Sequence, residues 1–270
     1  MSWKGNNYDE IYRNFKWDIP EYFNIGVDIC DKWAEDKFRV ALIFLDDEEK
    51  EHKITYWELK NHSNRFANGL LHHGIGRGDR FAILMPPSPE ALITHIAVFK
   101  TGAILVPMIH LFGPEAIEYR LKNSQTKGIV TDKANLHKIL EIRDRLPDLE
   151  LIIVVNGKEE ENLLDFWKVL EQGSRYFSPV LTKSSDPALI IYTSGTTGPP
   201  KGALHAHRLM VSEATNTGFS LNLFPQKGDL LWTHCDWAYI AGSFTALYPT
   251  LHYGHSVVEY AKKGRFDPEK

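Results

Sequence analysis

Apolar residues along the chain fall into short runs that alternate with amphipathic stretches. The runs are rich in Val, Ile and Leu and are bounded by glycine, proline or polar residues, which is typical of buried strands. The predicted strands cover Arg39–Leu45, Arg80–Met85, Ala103–Pro107, Gly128–Thr131, Leu149–Val154 and Pro187–Tyr192. The intervening stretches carry apolar residues on one helical face and predict helices near 59–71, Glu90–Thr101, Pro114–Asn123 and Lys133–Arg145. Glu159–Tyr176 predicts a helix followed by a looser connection.

Polar residues mark the ends of the first elements. The charged run Asp46–Lys53 separates two apolar stretches and predicts a hairpin turn, because a run of this kind is usually a solvated loop. Thr55 and Glu58 have the spacing of a capping box, and Gly74 ends the helical pattern that follows them.

Strands and helices that alternate at this spacing predict an α/β fold with mostly parallel strands and helices packed on the sheet. Continuous runs of Val, Ile and Leu fit strands that are buried on both faces. With 270 residues and 43% hydrophobic content, one continuous globular body is expected.

The charge balance narrows the class of partner. A formal net charge of -4 gives no basic excess to neutralise a run of phosphates, so nucleic acid is disfavoured as a partner. Cys30 and Cys235 are the two cysteines, too few for a disulfide framework or a four-thiolate zinc site. The first residues lack the pattern of a secretory signal and no apolar run could cross a bilayer, so we expect a cytoplasmic protein without a membrane span.

The stretch that carries most of the chemistry follows the last predicted strand and reads Thr-Ser-Gly-Thr-Thr-Gly-Pro-Pro-Lys-Gly from Thr193 to Gly202. Its glycines let the backbone approach a ligand and turn amide donors toward an anion. The hydroxyl side chains add donors, and Lys201 adds a positive charge. This combination suits the phosphates of a nucleotide.

The loop has two other possible interpretations, a Walker A loop and a flexible linker. A Walker A loop requires Gly-Lys-Ser/Thr four residues after its first glycine, whereas Pro200 stands at that glycine position and Gly202 follows Lys201. A flexible Ser/Thr/Gly linker would not need to lie between a buried strand and another apolar segment, nor to carry a lysine behind two stiffening prolines.

Residues Tyr192 to Gly202, reading YTSGTTGPPKG, resemble the signature phosphate loop of the adenylate-forming superfamily, which includes acyl-CoA synthetases. KTGAILVP at 100–107 and the aromatic stretch at 236–242 are also similar to this superfamily, especially to acetyl-CoA and medium-chain acyl-CoA synthetases. The stretch departs from the commoner Asp-x-Gly-Trp form, because Trp237 directly follows Asp236. The resemblance implies the N-terminal part of the large domain of such an enzyme.

The resemblance also implies an ATP-dependent acid:CoA ligase. Such an enzyme joins a small carboxylic acid to AMP and then transfers the acyl group to CoA, with Mg²⁺ and the phosphate loop stabilising the departing pyrophosphate. The residues expected to bind the phosphates of ATP are Thr193, Ser194, Gly195, Thr196, Thr197, Gly198 and Lys201.

The aromatic stretch has two interpretations. Trp237, Ala241, Phe244 and Tyr248 have the spacing of one helical face, and such a stripe is more often core than pocket. The resemblance instead places the region near the acyl group, so that Trp237, Tyr239 and Gly242 would shape the acid pocket.

Two histidines, His205 and His207, would lie on the same side of a strand. The sequence offers no third ligand beside them, so ordinary hydrogen bonding is preferred to zinc binding.

Later signatures of the superfamily are absent from the 270 residues: the glutamate that helps to hold Mg²⁺, the Tyr-x-Thr-Gly-Asp segment and the C-terminal lid domain with its lysine. We therefore expect residues 1–270 to form a partial AMP-binding N-terminal domain with little or no ligase activity alone. One way to complete it is a separately encoded C-terminal half. The alternative is a non-catalytic nucleotide-binding or interaction module that keeps part of the fold.

Overall fold

The computed structural model describes residues 5–157, 163–193 and 198–260. The strands are β1 Val40–Leu45, β2 Glu51–Thr55, β3 Arg80–Leu84, β4 Ile104–Met108, β5 Gly128–Asp132, β6 Leu151–Val155, β7 Leu163–Asp165, β8 Pro187–Thr193, β9 Lys201–Ala206, β10 Leu231–Trp232 and β11 Val257–Tyr260. The α-helices are α1 Tyr8–Asn14, α2 Ile25–Asp28, α3 Tyr56–His72, α4 Pro89–Thr101, α5 Pro114–Ser124, α6 Leu136–Ile142, α7 Phe166–Gln172, α8 Leu209–Ser220 and α9 Tyr248–His252. Short 3₁₀ turns at Asp31–Trp33 and Arg143–Arg145 and a π-helix at Ala241–Leu247 complete the described elements.

The larger sheet has seven strands in the order β7-β6-β5-β3-β4-β8-β9. All neighbouring strands in it are parallel except β8 and β9, which are antiparallel. The inner strands β4 and β6 are buried at every residue, as expected for strands covered by helices on both faces. The prediction of an α/β fold with mostly parallel strands is confirmed.

The smaller sheet has four strands in the order β10-β11-β1-β2. β1 and β2 form the hairpin predicted around the charged run, and Asp46 Oδ1 accepts from the backbone amides of Glu48 and Lys50 inside its turn. β11 pairs in parallel with β1, so this sheet joins the first and last described parts of the chain.

Helices cover the large sheet on both faces. Buried side chains of α3, α4 and α7 belong to one core cluster, and those of α5 and α6 belong to a second cluster on the other face. α3 begins with the predicted capping box, in which Thr55 and Glu58 each bond the backbone amide of the other. Among the described helices, none is long and apolar enough to cross a membrane.

The prediction of a helix over Glu159–Tyr176 is wrong in part. Residues 158–162 lie outside the described residues, and Leu163–Asp165 form strand β7 at the edge of the large sheet. Helix α7 starts only at Phe166, because the Asp165 carboxylate accepts from the Lys168 amide and caps it there. Pairing with β6 therefore overrides the helical pattern of Leu163 and Leu164.

Candidate functional site

The carboxyl ends of the parallel strands β3, β4, β5 and β8 meet at one edge of the large sheet. In open α/β sheets this edge is where ligands bind. β8 delivers Thr193 to this edge, and the chain returns along β9 from Lys201. The phosphate-loop motif is therefore a hairpin connection at the ligand-binding edge of the sheet.

Thr193 and Lys201 are direct partners across the antiparallel pair of β8 and β9. Both are exposed, so the hydroxyl and the ammonium group are available to a ligand above the hairpin. Ser194, Gly195, Thr196 and Thr197 lie outside the described residues. The structure thus brings together the two ends of the predicted phosphate loop.

Gly198 has the backbone freedom that its motif position suggests. Its φ of 100° lies in the left-handed region, which L side chains rarely adopt, and apart from its chain neighbours no atom of the described residues lies within 4 Å of the position of a Cβ. Backbone conformation, rather than crowding, therefore explains the glycine.

Helix α5 holds the hairpin from one side through two tyrosines. The Tyr119 hydroxyl donates to the Pro200 carbonyl over 2.9 Å, just before Lys201. The Tyr192 hydroxyl donates to Asn123 Oδ1 over 2.7 Å and lies 3.2 Å from the Arg120 carbonyl oxygen. One helix therefore holds the hairpin on both sides, at Pro200 just before β9 and at Tyr192 in β8.

Arg120 places a buried cation behind the hairpin. Its guanidinium lies 4.1 Å from the centre of the Phe112 ring and 5.5 Å from that of Tyr192, and Nη1 donates to the Ala116 carbonyl. Burial lowers the pKa of Arg120, but a guanidinium stays charged at neutral pH. Its field favours an anion at the hairpin. Arg120 was not predicted as a site residue, since nothing in the order of residues shows that this arginine of α5 turns inward.

Asp236 ties the aromatic stretch to the same edge of the sheet. Its carboxylate lies 3.1 Å from His110 Nδ1, just beyond the end of β4, and its other oxygen accepts from the Ala238 amide. Lys138 in turn donates to the His110 carbonyl over 2.7 Å. The ends of β4 and the segment that starts at Asp236 are thereby held together.

The three residues predicted to shape an acid pocket lie in different surroundings. Trp237 is buried in the core, Tyr239 is half exposed, and Gly242 is buried against the backbone of the preceding turn. The cavity lined by Trp237, together with Met85, Pro87 and His95, has only about 10 Å³ of free space. A carboxylic acid could enter it only if these side chains moved.

The predicted helical stripe is correct only in its second half. The π-helix begins at Ala241, which is exposed, so Trp237 precedes the helix. Phe244 and Tyr248 pack edge-on with ring centres 4.8 Å apart in the core. The buried aromatic residues therefore agree with the interpretation of this stretch as part of the core.

A buried carboxyl group of β11 lies near this segment. Glu259 is 7% exposed, and its Oε2 has no hydrogen-bond partner among the described residues. Burial, with a smaller contribution from the nearby Asp236, raises the pKa of Glu259 to about 8, and the hydrogen bond from the Tyr260 amide opposes this shift. Glu259 was not predicted as a site residue, because the short strand β11 was not predicted.

The two histidines near the loop have separate environments. His207 is buried and its Nδ1 accepts from the Ile25 amide over 3.2 Å, while burial lowers its pKa to about 4 despite Asp186 nearby. His205 is half-buried in β9, and burial lowers its pKa too. No cluster of three or more metal-binding side chains occurs in the described part of the chain. Hydrogen bonding is therefore the role that the structure gives to His207.

A mostly parallel sheet with a Gly/Thr hairpin at its carboxyl edge defines an α/β fold of the adenylate-forming type. Residues 30–270 match the family described as AMP-binding enzyme, and the chain belongs to that family. The resemblance stated from the motifs is confirmed.

Relatives and solved structures agree with this family. The chain is 33% identical to the acetyl-coenzyme A synthetase of Bacillus subtilis, over 97% of this chain and 47% of that protein. It is 28% identical to the mitochondrial acyl-coenzyme A synthetase ACSM3 of Rattus norvegicus, over 90% of this chain and 43% of that protein. The chain thus spans about half the length of these relatives.

Two crystal structures share the fold. The acyl-CoA synthetase of Brucella canis aligns with a TM-score of 0.85 and 25% identity, over 96% of this chain and 48% of that chain. The anthranilate CoA ligase AuaEII, solved in complex with anthranoyl-AMP, aligns with a TM-score of 0.81 and 25% identity, over 90% of this chain and 46% of that chain.

Proposed function

We propose that the chain provides the ATP-phosphate-binding hairpin of an ATP-dependent acid:CoA ligase. In the first half-reaction a carboxylate oxygen bonds to the α-phosphorus of ATP, and the bond from that phosphorus to pyrophosphate breaks. In the second, the CoA sulfur bonds to the acyl carbon, the thiol proton passes to solvent and AMP leaves. The observation that carries the proposal is the hairpin at the carboxyl edge of the sheet, with Lys201 opposite Thr193.

In this proposal the hairpin acts through position and charge. Lys201 compensates the charge that gathers on the departing pyrophosphate, and Thr193, Gly198 and residues 194–197 supply donors around it. The bond from Tyr119 to the Pro200 carbonyl and the bond from Tyr192 in β8 to Asn123 in α5 keep Thr193 and Lys201 in place before ATP arrives. Arg120 adds a second positive charge behind the loop.

Mg²⁺ is proposed as the ion that accompanies the phosphates of ATP. The described residues contain no cluster of His, Cys, Asp or Glu that could hold it by themselves. Mg²⁺ is commonly bound through substrate phosphates with few protein ligands, which fits this arrangement. CoA is proposed as the acyl acceptor from the names of the relatives.

The acid is proposed to be a small carboxylic acid near Trp237, Tyr239 and Gly242. The support is their place beside Asp236, which is tied to the end of β4 at the ligand-binding edge. The tightly filled space at Trp237 favours a short acyl group over a long one.

Residues 1–270 are also proposed to form a partial domain and to act in the cytoplasm. Residues 1–270 would act with the remaining segments of the enzyme, including a separately encoded C-terminal half if the lid domain comes from another chain, and they would do so in the cytoplasm. The coverage of about half of each matched relative supports the partial domain.

Nucleotide binding tests the hairpin. We expect the 270-residue chain to bind ATP, and Lys201→Ala to weaken that binding by about tenfold, because a charged contact to phosphate is lost. The matched control is Lys53→Ala in β2, whose lysine pairs with Glu51 on the smaller sheet. Equal ATP affinity in the parent chain and the Lys201→Ala variant would remove the assignment of the loop.

Pyrophosphate exchange separates the ligase from a non-catalytic nucleotide-binding module. We expect the 270-residue chain with acetate or a medium-chain acid to exchange little pyrophosphate into ATP, and a C-terminal half added in trans to increase the exchange. Nucleotide binding without exchange under both conditions would favour the non-catalytic module.

A further inference from the structure

A concave surface opens on the outer side of α3, away from the phosphate-loop hairpin. It lies between the turn at 34–37, the first half of α3 and the segment 175–178, and it encloses about 750 Å³. This volume is in the range of small-molecule sites. We call it the α3 cavity. α3 covers the face of the large sheet opposite to α5. The α3 cavity therefore shares no residue with the Tyr119 and Tyr192 bonds that join α5 to the phosphate-loop hairpin.

Positive charge dominates the α3 cavity. Lys37, Lys60 and Arg175 line it, against a single acidic residue, Glu35. Within residues 5–157, 163–193 and 198–260, none of these three cations lies in an ion pair with a carboxylate. Cations gathered in a concave surface without counter-charges attract an anion, because low-dielectric walls focus their field.

Aromatic rings stand beside these charges. Trp57 is 39% exposed at the start of α3, and Lys37 Nζ lies 5.7 Å from the centre of its ring. Tyr176 is largely exposed, and Phe177 packs partly against the core. A ligand with a flat ring could therefore stack on an aromatic wall while its charge meets the cations.

The base of the α3 cavity is held by hydrogen bonds that need no ligand. The side-chain amide of Asn64 donates to the Arg175 carbonyl over 2.9 Å, and its oxygen accepts from the buried Lys100 ammonium over 2.9 Å. Arg175 also donates to the Tyr176 hydroxyl over 3.0 Å, which fixes the head of its side chain near the opening. Such a prearranged wall lowers the entropy cost of binding.

We propose that the α3 cavity binds a nucleoside phosphate, with the phosphate on Lys60 and Arg175 and the base against Trp57. The positive charge of the α3 cavity favours a compact anion, and the exposed indole of Trp57 favours a flat ring. The volume of the cavity accommodates both together. A long polyanion such as RNA fits less well, since the chain carries a net charge of -4. This site is separate from the one that the proposed function assigns to ATP.

Titration calorimetry with AMP on the Lys201→Ala chain tests the proposal, because that variant weakens the hairpin site and leaves the α3 cavity unchanged. We expect AMP to bind this chain, and the added changes Lys60→Ala and Arg175→Ala each to weaken AMP binding by about tenfold. Lys60→Arg is the matched control and should retain the affinity. Adenosine and inorganic phosphate should each bind at least about tenfold more weakly than AMP, because each lacks one half of the contacts.

The outcomes separate this site from the ligase proposal. Loss of all AMP binding in the Lys201→Ala chain, or unchanged AMP affinity after Lys60→Ala and Arg175→Ala, would overturn the α3 site. Phosphate binding as tight as AMP would overturn the role of the ring. Neither result touches the hairpin, whose own test is the ATP affinity of Lys201→Ala. Should Lys60→Ala unfold, the exposed Arg175 still provides the decisive variant.

Discussion

The Tyr119 hydroxyl bonds the Pro200 carbonyl over 2.9 Å and so joins helix α5 to the phosphate-loop hairpin one residue before Lys201. The two residues are 81 positions apart in the chain, and they meet because α5 packs beside the edge strand β9 and its neighbour β8. The hairpin is therefore supported from outside the motif that identifies it.

Replacing Tyr119 with phenylalanine tests this support. We expect a loss of unfolding free energy of about 1 kcal/mol, because one hydrogen bond to a backbone carbonyl is removed. ATP affinity should fall by no more than about fivefold, which is roughly the factor that this energy represents. Urea unfolding and ATP titration measure the two effects.

The matched control for this change is Tyr12→Phe in α1, where the side chain is 72% exposed. It should alter neither quantity. A Tyr119→Phe chain that loses stability but binds ATP as the parent does would show that the bond holds the fold and not the loop.

The sequence predicted most elements because their signals are local. Strands of continuous Val and Ile, and the capping box of Thr55 and Glu58, need no partner to be recognised. Strand β7 was missed because three residues in an amphipathic stretch read as helix until they pair with β6.

The candidate site likewise has features that the sequence predicts and features that it does not. The phosphate loop could be predicted because its glycines, hydroxyls and lysine are consecutive. The hydrogen bond from Tyr119 to Pro200 and the inward orientation of Arg120 depend on how distant segments pack. The spacing of residues in the sequence does not show such packing. The place of Trp237 in the core shows the same limit, because its burial depends on contacts with His95 across the fold.

A buried ion pair under the α3 cavity should contribute strongly to stability. Lys100 is fully buried, is paired with Asp31 and donates to Ser63 and Asn64. Lys100→Met removes one partner and leaves the Asp31 carboxylate and the acceptor oxygens of Ser63 and Asn64 without the ammonium group, so we expect a loss of about 3–5 kcal/mol. Urea unfolding at neutral pH measures this change.

Two further variants show whether the pair itself is responsible. The double variant Asp31→Asn, Lys100→Met should lose less than the sum of its single variants, because contacting partners couple. Lys122→Met, which removes an exposed i,i+4 pair with Glu118, should change little. Additive losses at Asp31 and Lys100 would argue against the pairing.

Glu259 should make stability depend on pH. Its pKa is near 4.5 in the unfolded chain and about 8 in the folded protein, where burial is the main cause of the increase. Between these values the folded state keeps a proton that the unfolded state has released, so stability falls as pH rises from about 4.5 to about 8. Above about pH 8 the loss levels off.

Glu259→Gln isolates this contribution. The variant has no proton to release, so it should become progressively more stable than the parent chain as pH rises, with the smallest difference near pH 4.5. Urea midpoints of both chains at several pH values between about 5 and about 8 provide the measurement. A constant difference over that range would show that Glu259 titrates normally.

Gly242 allows the backbone of the aromatic segment to close on itself. A Cβ there would lie 2.3 Å from the Asp236 carbonyl oxygen and 2.7 Å from that of Cys235. Since both neighbours are backbone atoms, Gly242→Ala must displace the turn, and we expect a loss of about 1–3 kcal/mol in urea unfolding.

Asp236 would move with the turn and strain its contact with His110, so the Gly242→Ala variant should also bind acids more weakly in the assembled enzyme. Gly113→Ala is the matched control, because its φ of -79° suits alanine and, apart from its chain neighbours, no atom of the described residues lies within 4 Å of the new Cβ. A loss of stability at Gly242 no larger than that at Gly113 would mean that the close approach at Gly242 does not set the geometry of the segment.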